Sequence, residues 1–386
     1  MAQQPRDRAL DGLRGIAVLA VVLFHATNEA GAPASWSPLW FLPPLLGWSG
    51  VDLFFVLSGF LITRILVSQR DTDNYFRAFY GRRIVRIFPL YYAVLVLYFL
   101  VIPAFGSGRL ATLWWGTPGE PLWYWFYLSN WVDGATGFFR HKFLAVAWSL
   151  AIEEQFYLMW PFVVRHVQPR KLERVCLAVI ALSFAARLGG VLTGLSPVAV
   201  YVWTPMRLDV LAVGAYVALR VHREGGFDAL SAWARRCLPV AGLVVVGIAG
   251  ATLLYPHWLM ERPTRMIAHP VMQTVGFSAV AIFYGSLLVL AMRGRGQLTR
   301  VLVSAPLRLA GRYSYAIYLL HGLAIFTWDH GIWAGHRAAY PFWANQALRY
   351  VAAVVLSTAV AAVTWRLIES PFLRLRSRFT YRNDIA

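Results

Sequence analysis

The side chains best placed to do chemistry begin in the first apolar stretch, RALDGLRGIAVLAVVLFHATN at residues 8–28. It has the roughly 20 mostly apolar residues that a membrane-crossing helix needs, yet it holds Asp11, Arg14 and His25. Ionisable groups at such depths usually face a protein interior or a water-filled cavity, because contact with hydrocarbon is costly. Arg14 and His25 are eleven positions apart. At about 100° per residue they return to nearly the same helix face, roughly 16 Å apart along the axis. One face thus carries a fixed cation near its entrance and a titratable base well inside. Asp11, three residues before Arg14, lies on the same side and can pair with it. The structural alternative is an interfacial Asp11–Arg14 pair with His25 in the far headgroup region, and both readings stay open here.

A second concentration of polar groups lies in WSLAIEEQFYLMWP, where Glu153 and Glu154 fall near the middle of another apolar run. Each must be protonated, paired or wetted there. Trp148, Ser149, Phe156 and Trp160 share a face with Glu153, and Glu154 points elsewhere. Pairing with buried arginines such as Arg187 or Arg207 is the structural alternative. In GVDLFFVLSGF, Ser49, Gly50, Ser58 and Gly59 read as helix-packing residues. Asp52 is harder to explain that way, and it could orient His25 by accepting its other ring proton. FYGRRIVRIFPLYY places Arg82, Arg83 and Arg86 at helical spacing beside a span. Such arginines either anchor topology or bind phosphate through bidentate guanidinium forks. Arg207 and Asp209 can pair with neighbours, His321 in YSYAIYLLHGL reads as an interior histidine or a participant, and Glu369 in ESPF can cap a helix or meet the arginines. No phosphate-binding loop, dinucleotide-binding glycine pattern, HExxH or nucleophile elbow appears in a supporting context. No metal site is expected.

The elements that must hold these residues are membrane helices. Hydrophobic residues make up 59% of the chain and the mean hydropathy is +0.54, beyond the roughly 45–50% apolar content of soluble domains. The net charge of +18 does not indicate nucleic acid, because the basic residues recur between apolar segments rather than in one stripe. Cys176 and Cys237 lack disulfide or zinc spacing. The start resembles a signal peptide with small residues in ATNEAGA, but the run is too long and too charged, so it is expected to stay.

Hydropathy and arginine placement predict an all-α polytopic membrane protein of ten helices, at about 9–28, 46–67, 88–105, 143–164, 174–193, 203–221, 238–256, 271–291, 309–329 and 346–367. Basic loops then fall on one side and both termini are expected in the cytoplasm. Residues 106–142, with PLWYWFYLSNW, read as an interfacial or re-entrant segment on the outer side, since Trp and Tyr prefer the interface. Residues 1–372 are expected to form one transmembrane domain and 373–386 a basic cytoplasmic tail, with no soluble domain appended.

Taken together, LDGLRGIAVLAVVLFH, GVDLFFVLSGFLIT, FYGRRIVRIFPLYY, WSLAIEEQFYLMWP, SYAIYLLHG and IESPF resemble the membrane-bound acyltransferase-3 family, whose bacterial members O-acylate surface and secreted glycans. The stretches occur in the family's order from residue 8 to 372. The resemblance implies transfer of an acyl group, commonly acetyl, from cytoplasmic acyl-CoA to a hydroxyl of a glycan on the outer side of a bacterial cytoplasmic (inner) membrane. Arg14 and His25 match its Arg-to-His pair, Glu153 its span carboxylate, and Arg82, Arg83 and Arg86 its basic stretch. Many larger relatives append a hydrolase-like domain, which these residues do not contain.

These expectations assemble into roles. The acyl-CoA phosphates stay near Arg82, Arg83 and Arg86, with Arg14 closer to the channel. The thioester reaches His25, which serves as general base or brief acyl carrier. Glu153 fixes the imidazole or relays a proton, and Asp52 could do the same. Asp11, Trp148, Ser149, Glu154, Arg207 and His321 are supporting candidates. The rivals are O-acylation of a small hydroxylated molecule such as a macrolide and, from another class, a transporter of a polar substrate, for which inverted repeats are the expected sign. The bilayer, the donor and the acceptor are the expected partners, nucleic acid is not, and the oligomeric state is left open with a homodimer among the options.

Overall fold

The computed structural model describes residues 5–27, 38–105, 121–221, 223, 225–254, 267–294, 296–332 and 340–382. Asn28 and the following small residues of the candidate cleavage stretch, Pro33, residues 106–120, Arg295 and residues 383–386 lie outside them. The described residues contain helices and no strand. In chain order the principal ones are α1 (Pro5–Ala26), α2 (Gly50–Ser68), α3 (Tyr75–Val96), α4 (Ser129–Thr136), α5 (Ala147–His166), α6 (Pro169–Leu192), α7 (Thr204–Val221), α8 (Gly226–Leu254), α9 (Phe277–Ala291), α10 (Ala305–Arg312), α11 (Ser314–Thr327) and α12 (Phe342–Thr364).

Among the described residues eight helical stretches are long and apolar enough to cross a membrane: Arg8–Ala26, Leu39–Ser68, Tyr75–Ala104, Pro169–Leu192, Pro197–Val221, Gly226–Thr252, Met272–Ala291 and Phe342–Phe379. The chain is therefore a multi-pass membrane protein. Two expected spans are missing from this set, α5 and α11. The reason is chemical, since Glu153, Glu154 and Gln155 in α5 and His321 with Asp329 in and after α11 lower their hydropathy. The two helices that fall short on apolarity carry the residues of greatest interest.

Local sequence explains the breaks. A residue before proline is driven out of the helical region, so Gln168 is extended before Pro169, the first residue of α6, and Val167, also extended, closes α5. In the stretch read as interfacial the described residues form two short α-helices, Leu122–Trp125 and α4, neither long enough to cross a bilayer. Tyr127 between them has a φ of 55°, a left-handed conformation costing about 1–2 kcal/mol for a side chain of its kind. Its ring stacks on Tyr91 at 4.3 Å, and its carbonyl accepts a 2.9 Å hydrogen bond from Gln155 of α5.

Backbone contact sets the helix positions. A Cβ on Gly15 would fall 2.1 Å from the carbonyl oxygen of Leu307, and one on Gly311 1.8 Å from that of Asp11. Only glycine permits α1 and α10 to lie this close. Gly59 and Gly214 play the same part between α2 and α7, facing the carbonyls of Leu211 and Val56. The C-terminal end of α1 is held separately, by Arg349 of α12 donating to the carbonyl of Ala26 while pairing with Asp329 at 2.7 Å.

Candidate active site

Three cavities lie in a row along α1. The first, about 200 Å³, is lined by Arg14, Arg82, Arg83, Arg86 and Arg376. A narrower one of about 100 Å³ shares Arg14, Leu61, Arg83 and Arg86 with it and adds Ser58, Ser149, Glu153, Tyr157 and Tyr318. The third, about 520 Å³, shares Val51 and Tyr318 with the second and is lined by His25, Trp48, Trp148 and Tyr201. The shared walls set the three side by side, from five arginines at one end to an imidazole at the other. Arg14, Val21 and His25 face them from one side of α1, as their spacing requires.

At the far end, His25 is exposed within the widest cavity. Its Nδ1 lies 3.0 Å from the carbonyl oxygen of Val21 and 3.2 Å from Nε2 of His321. His321 Nδ1 is 2.7 Å from the carbonyl oxygen of Tyr318. A carbonyl only accepts, so His321 Nδ1 carries the proton and its Nε2 offers a lone pair. His25 Nδ1 then faces two acceptors and must be the donor. In a pair of neutral rings this leaves Nε2 of His25 as the basic nitrogen.

The middle of the row holds the carboxylate and the cations. Ser58 of α2 donates to Glu153 at 2.6 Å, so the hydroxyl expected only to pack is a partner of the acid, whereas Gly59 does pack. Arg83 lies 4.2 Å over the ring of Tyr157, and Arg14 is 3.3 Å from Asp11. Ser149 and Tyr318 share a 2.6 Å hydrogen bond where the middle and outer cavities meet. Glu154 lines none of these cavities. Glu153 reaches Ser58 rather than the imidazole, which has His321 beside it.

Asp52 is placed elsewhere than its expected role requires. It is fully buried and pairs with Arg207 of α7, whose guanidinium also lies 4.4 Å over the ring of Phe277. Arg187 of α6 pairs with Asp209 at 2.7 Å and donates to the carbonyl of Met206 at 2.6 Å. Arg207 and Asp209, two residues apart, thus point to partners on opposite neighbours. These pairs tie α2, α6 and α7 together and leave the two glutamates of α5 unpaired with either arginine. Glu369 is buried within the last long helical stretch, in the turn that follows α12.

Beside the outer cavity, the segment after α3 carries a small polar cluster. Burial pushes the Asp133 carboxyl up to about 7 despite a 3.2 Å hydrogen bond from the Arg140 backbone. His141, buried and 3.2 Å from the Tyr98 hydroxyl, is pushed down to about 4.

Sequence reasoning missed Tyr318, Tyr157, Arg349 and Arg376. For Tyr318 the signal was present, since it precedes His321 by three residues and so shares its face. Tyr157 likewise follows Glu153 by four residues on α5, whereas Arg349 and Arg376 meet distant segments and leave no local trace.

The arginine-lined cavity, the carboxylate of Glu153 and the imidazole of His25 thus lie against one another inside a polytopic helical membrane domain. Its sequence from residue 7 to 366 matches the acyltransferase-3 family, described as an acyltransferase domain, and the chain belongs to that family. Among curated proteins it is similar to the peptidoglycan O-acetyltransferase OatA of Listeria monocytogenes, 30% identical over 81% of this chain and 48% of that one. It is 27% identical to the O-acetyltransferase OatA of Staphylococcus aureus over 94% of this chain and 56% of that one. The putative peptidoglycan O-acetyltransferase YrhL of Bacillus subtilis is 29% identical over 94% and 54%. The chain thus spans about half the length of these relatives. No solved structure matches it.

Proposed function

We propose that this chain transfers an acyl group, acetyl by analogy with its relatives' names, from acyl-CoA to a hydroxyl of a surface or secreted glycan unit. The row of cavities between the arginines and His25 is the observation that carries this reading. The donor's phosphates bind at Arg82, Arg83 and Arg86, with Arg14 at the inner mouth, where guanidinium forks suit them. The thin pantetheine arm follows α1 past Glu153 and Tyr318, and the thioester carbonyl meets the acceptor in the outer cavity. Its volume lies within the usual range for ligand sites, about 300–1,000 Å³, and its Trp48, Trp148 and Tyr201 surfaces suit the apolar faces of sugar rings.

His25 Nε2 takes the proton of the acceptor hydroxyl as the oxygen attacks the thioester carbonyl. The tetrahedral intermediate collapses, the carbon–sulfur bond breaks, and the coenzyme A thiolate leaves. The proton on His25 returns to the thiolate, so the ring ends neutral. His321 holds the ring in the tautomer this requires. Glu153, held by Ser58, balances the cations along the arm.

In this reading α5 and α11 also cross the bilayer, giving ten spans of a bacterial cytoplasmic membrane with both termini and the arginine-lined mouth in the cytoplasm. The peptidoglycan named in two relatives is one acceptor of the proposed class. Incubating the purified protein with labelled acetyl-CoA and glycan fragments tests it. Labelled glycan is expected from wild type and not from His25→Ala; transfer by the variant at the wild-type rate would remove the assignment.

A further inference from the structure

As far as Arg382, the expected basic tail folds back onto the protein. Arg82 Nε donates to the carbonyl of Phe379 at 2.8 Å, and its guanidinium lies 5.2 Å over the Tyr381 ring. Asn74 pins the next residues from both sides, donating to the carbonyl of Thr380 at 2.7 Å and accepting from the Arg382 amide at 3.0 Å. The Phe379 ring fills the space at Gly81, where a Cβ would fall 2.1 Å from it. The docked segment thereby brings Arg376 and Tyr381 into the wall of the cationic cavity.

We infer that this C-terminal segment is part of the donor site, and that Arg376 binds the phosphorylated nucleotide end of acyl-CoA opposite Arg82, Arg83 and Arg86. The inference rests on the donor proposed above. Physically, the cavity gathers five guanidinium groups and, among the described residues, no carboxylate lines it, Asp11 pairing with Arg14 from within α1. Like charges so close repel unless an anion is shared between them. Arg376 is exposed and makes no hydrogen bond or ion pair to another described residue. One arginine on a separately docked segment also reaches a second side of a ligand with several phosphates, which three arginines of one helix cannot.

The test is equilibrium binding of coenzyme A and of pantetheine, which lacks the nucleotide and phosphates, to the purified full chain in lipid nanodiscs. Wild type is expected to bind coenzyme A far more tightly. Arg376→Gln should weaken coenzyme A roughly tenfold, about the worth of one charge-assisted hydrogen bond, and leave pantetheine unchanged; Arg376→Lys should recover part of the loss. Asn74→Ala, outside the cavity, should mimic Arg376→Gln by releasing the segment. Unchanged coenzyme A binding in Arg376→Gln, or equal weakening of both ligands, overturns the inference while the donor reading stands. A wild type that does not prefer coenzyme A to pantetheine overturns both.

Discussion

His25 Nδ1 stands 3.2 Å from Nε2 of His321, although the two residues are 296 positions apart in the chain. The second ring is in turn fixed by backbone carbonyls of its own helix, so one histidine sets which nitrogen of the other is basic.

Replacing His321 by alanine should lower the turnover number about 10- to 100-fold, as loss of a group that orients a general base does, with little change in KM for the donor. His321→Asn, whose side-chain oxygen can accept the same proton, should recover part of the rate. Steady-state kinetics of the two variants check this, and a matching fall in donor binding would contradict a positioning role.

The join between the middle and outer cavities is lined by Val51. Val51→Phe should obstruct it, reducing transfer about 100-fold through misplacement of the thioester, while coenzyme A still binds at the arginines. Turnover and binding measured on the same preparation separate the two effects.

Asp52 and Arg207 form a buried pair, and removing one partner of such a pair costs about 3–5 kcal/mol. Arg207→Ala should therefore lower the unfolding temperature in detergent markedly, and the double variant Asp52→Asn, Arg207→Gln should recover part of it. If Asp52 instead served His25 directly, Asp52→Asn would cut turnover without altering stability.

The Asp133 carboxyl, raised to about 7 by burial from an ordinary 3.8, gives stability a pH dependence of defined sign. Between those values the folded protein holds a proton that the unfolded chain has released, so stability falls as pH rises, by about 1 kcal/mol per pH unit. Below about 4 the contribution is complete, and above about 7 it is gone. Asp133→Asn should flatten the curve over this window in thermal melts from pH 4 to 8.

The alignment of Arg14 and His25 on one face was legible because it depends only on helical period within a single segment. The partner of each ionisable group was not. Asp52 sits in the next long helix, but whether it turns toward His25 or Arg207 depends on how α2 is rotated against α1 and α7. That rotation is fixed by Gly59 and Gly214 meeting carbonyls across the interface, a contact no local pattern encodes. The tail failed to announce itself for another reason: it is held by backbone carbonyls and one asparagine, while its arginines read only as a basic cytoplasmic tail. The arginines of α3 were left between anchoring and phosphate binding. Their convergence with Arg14 and Arg376 on one cavity is a tertiary fact.

The Asp52–Arg207 pair also has a history during synthesis. Its members are 155 residues apart, so at about 5–20 residues per second the ribosome delivers the arginine roughly 8–30 s after the aspartate. Until then the acid lacks the arginine, and even the upper bound, an aspartate at a helix centre in mid-bilayer, costs about 3 kcal/mol on insertion scales. The second helix must wait near water, against the insertion machinery, or with its carboxyl protonated, until the seventh arrives to receive it.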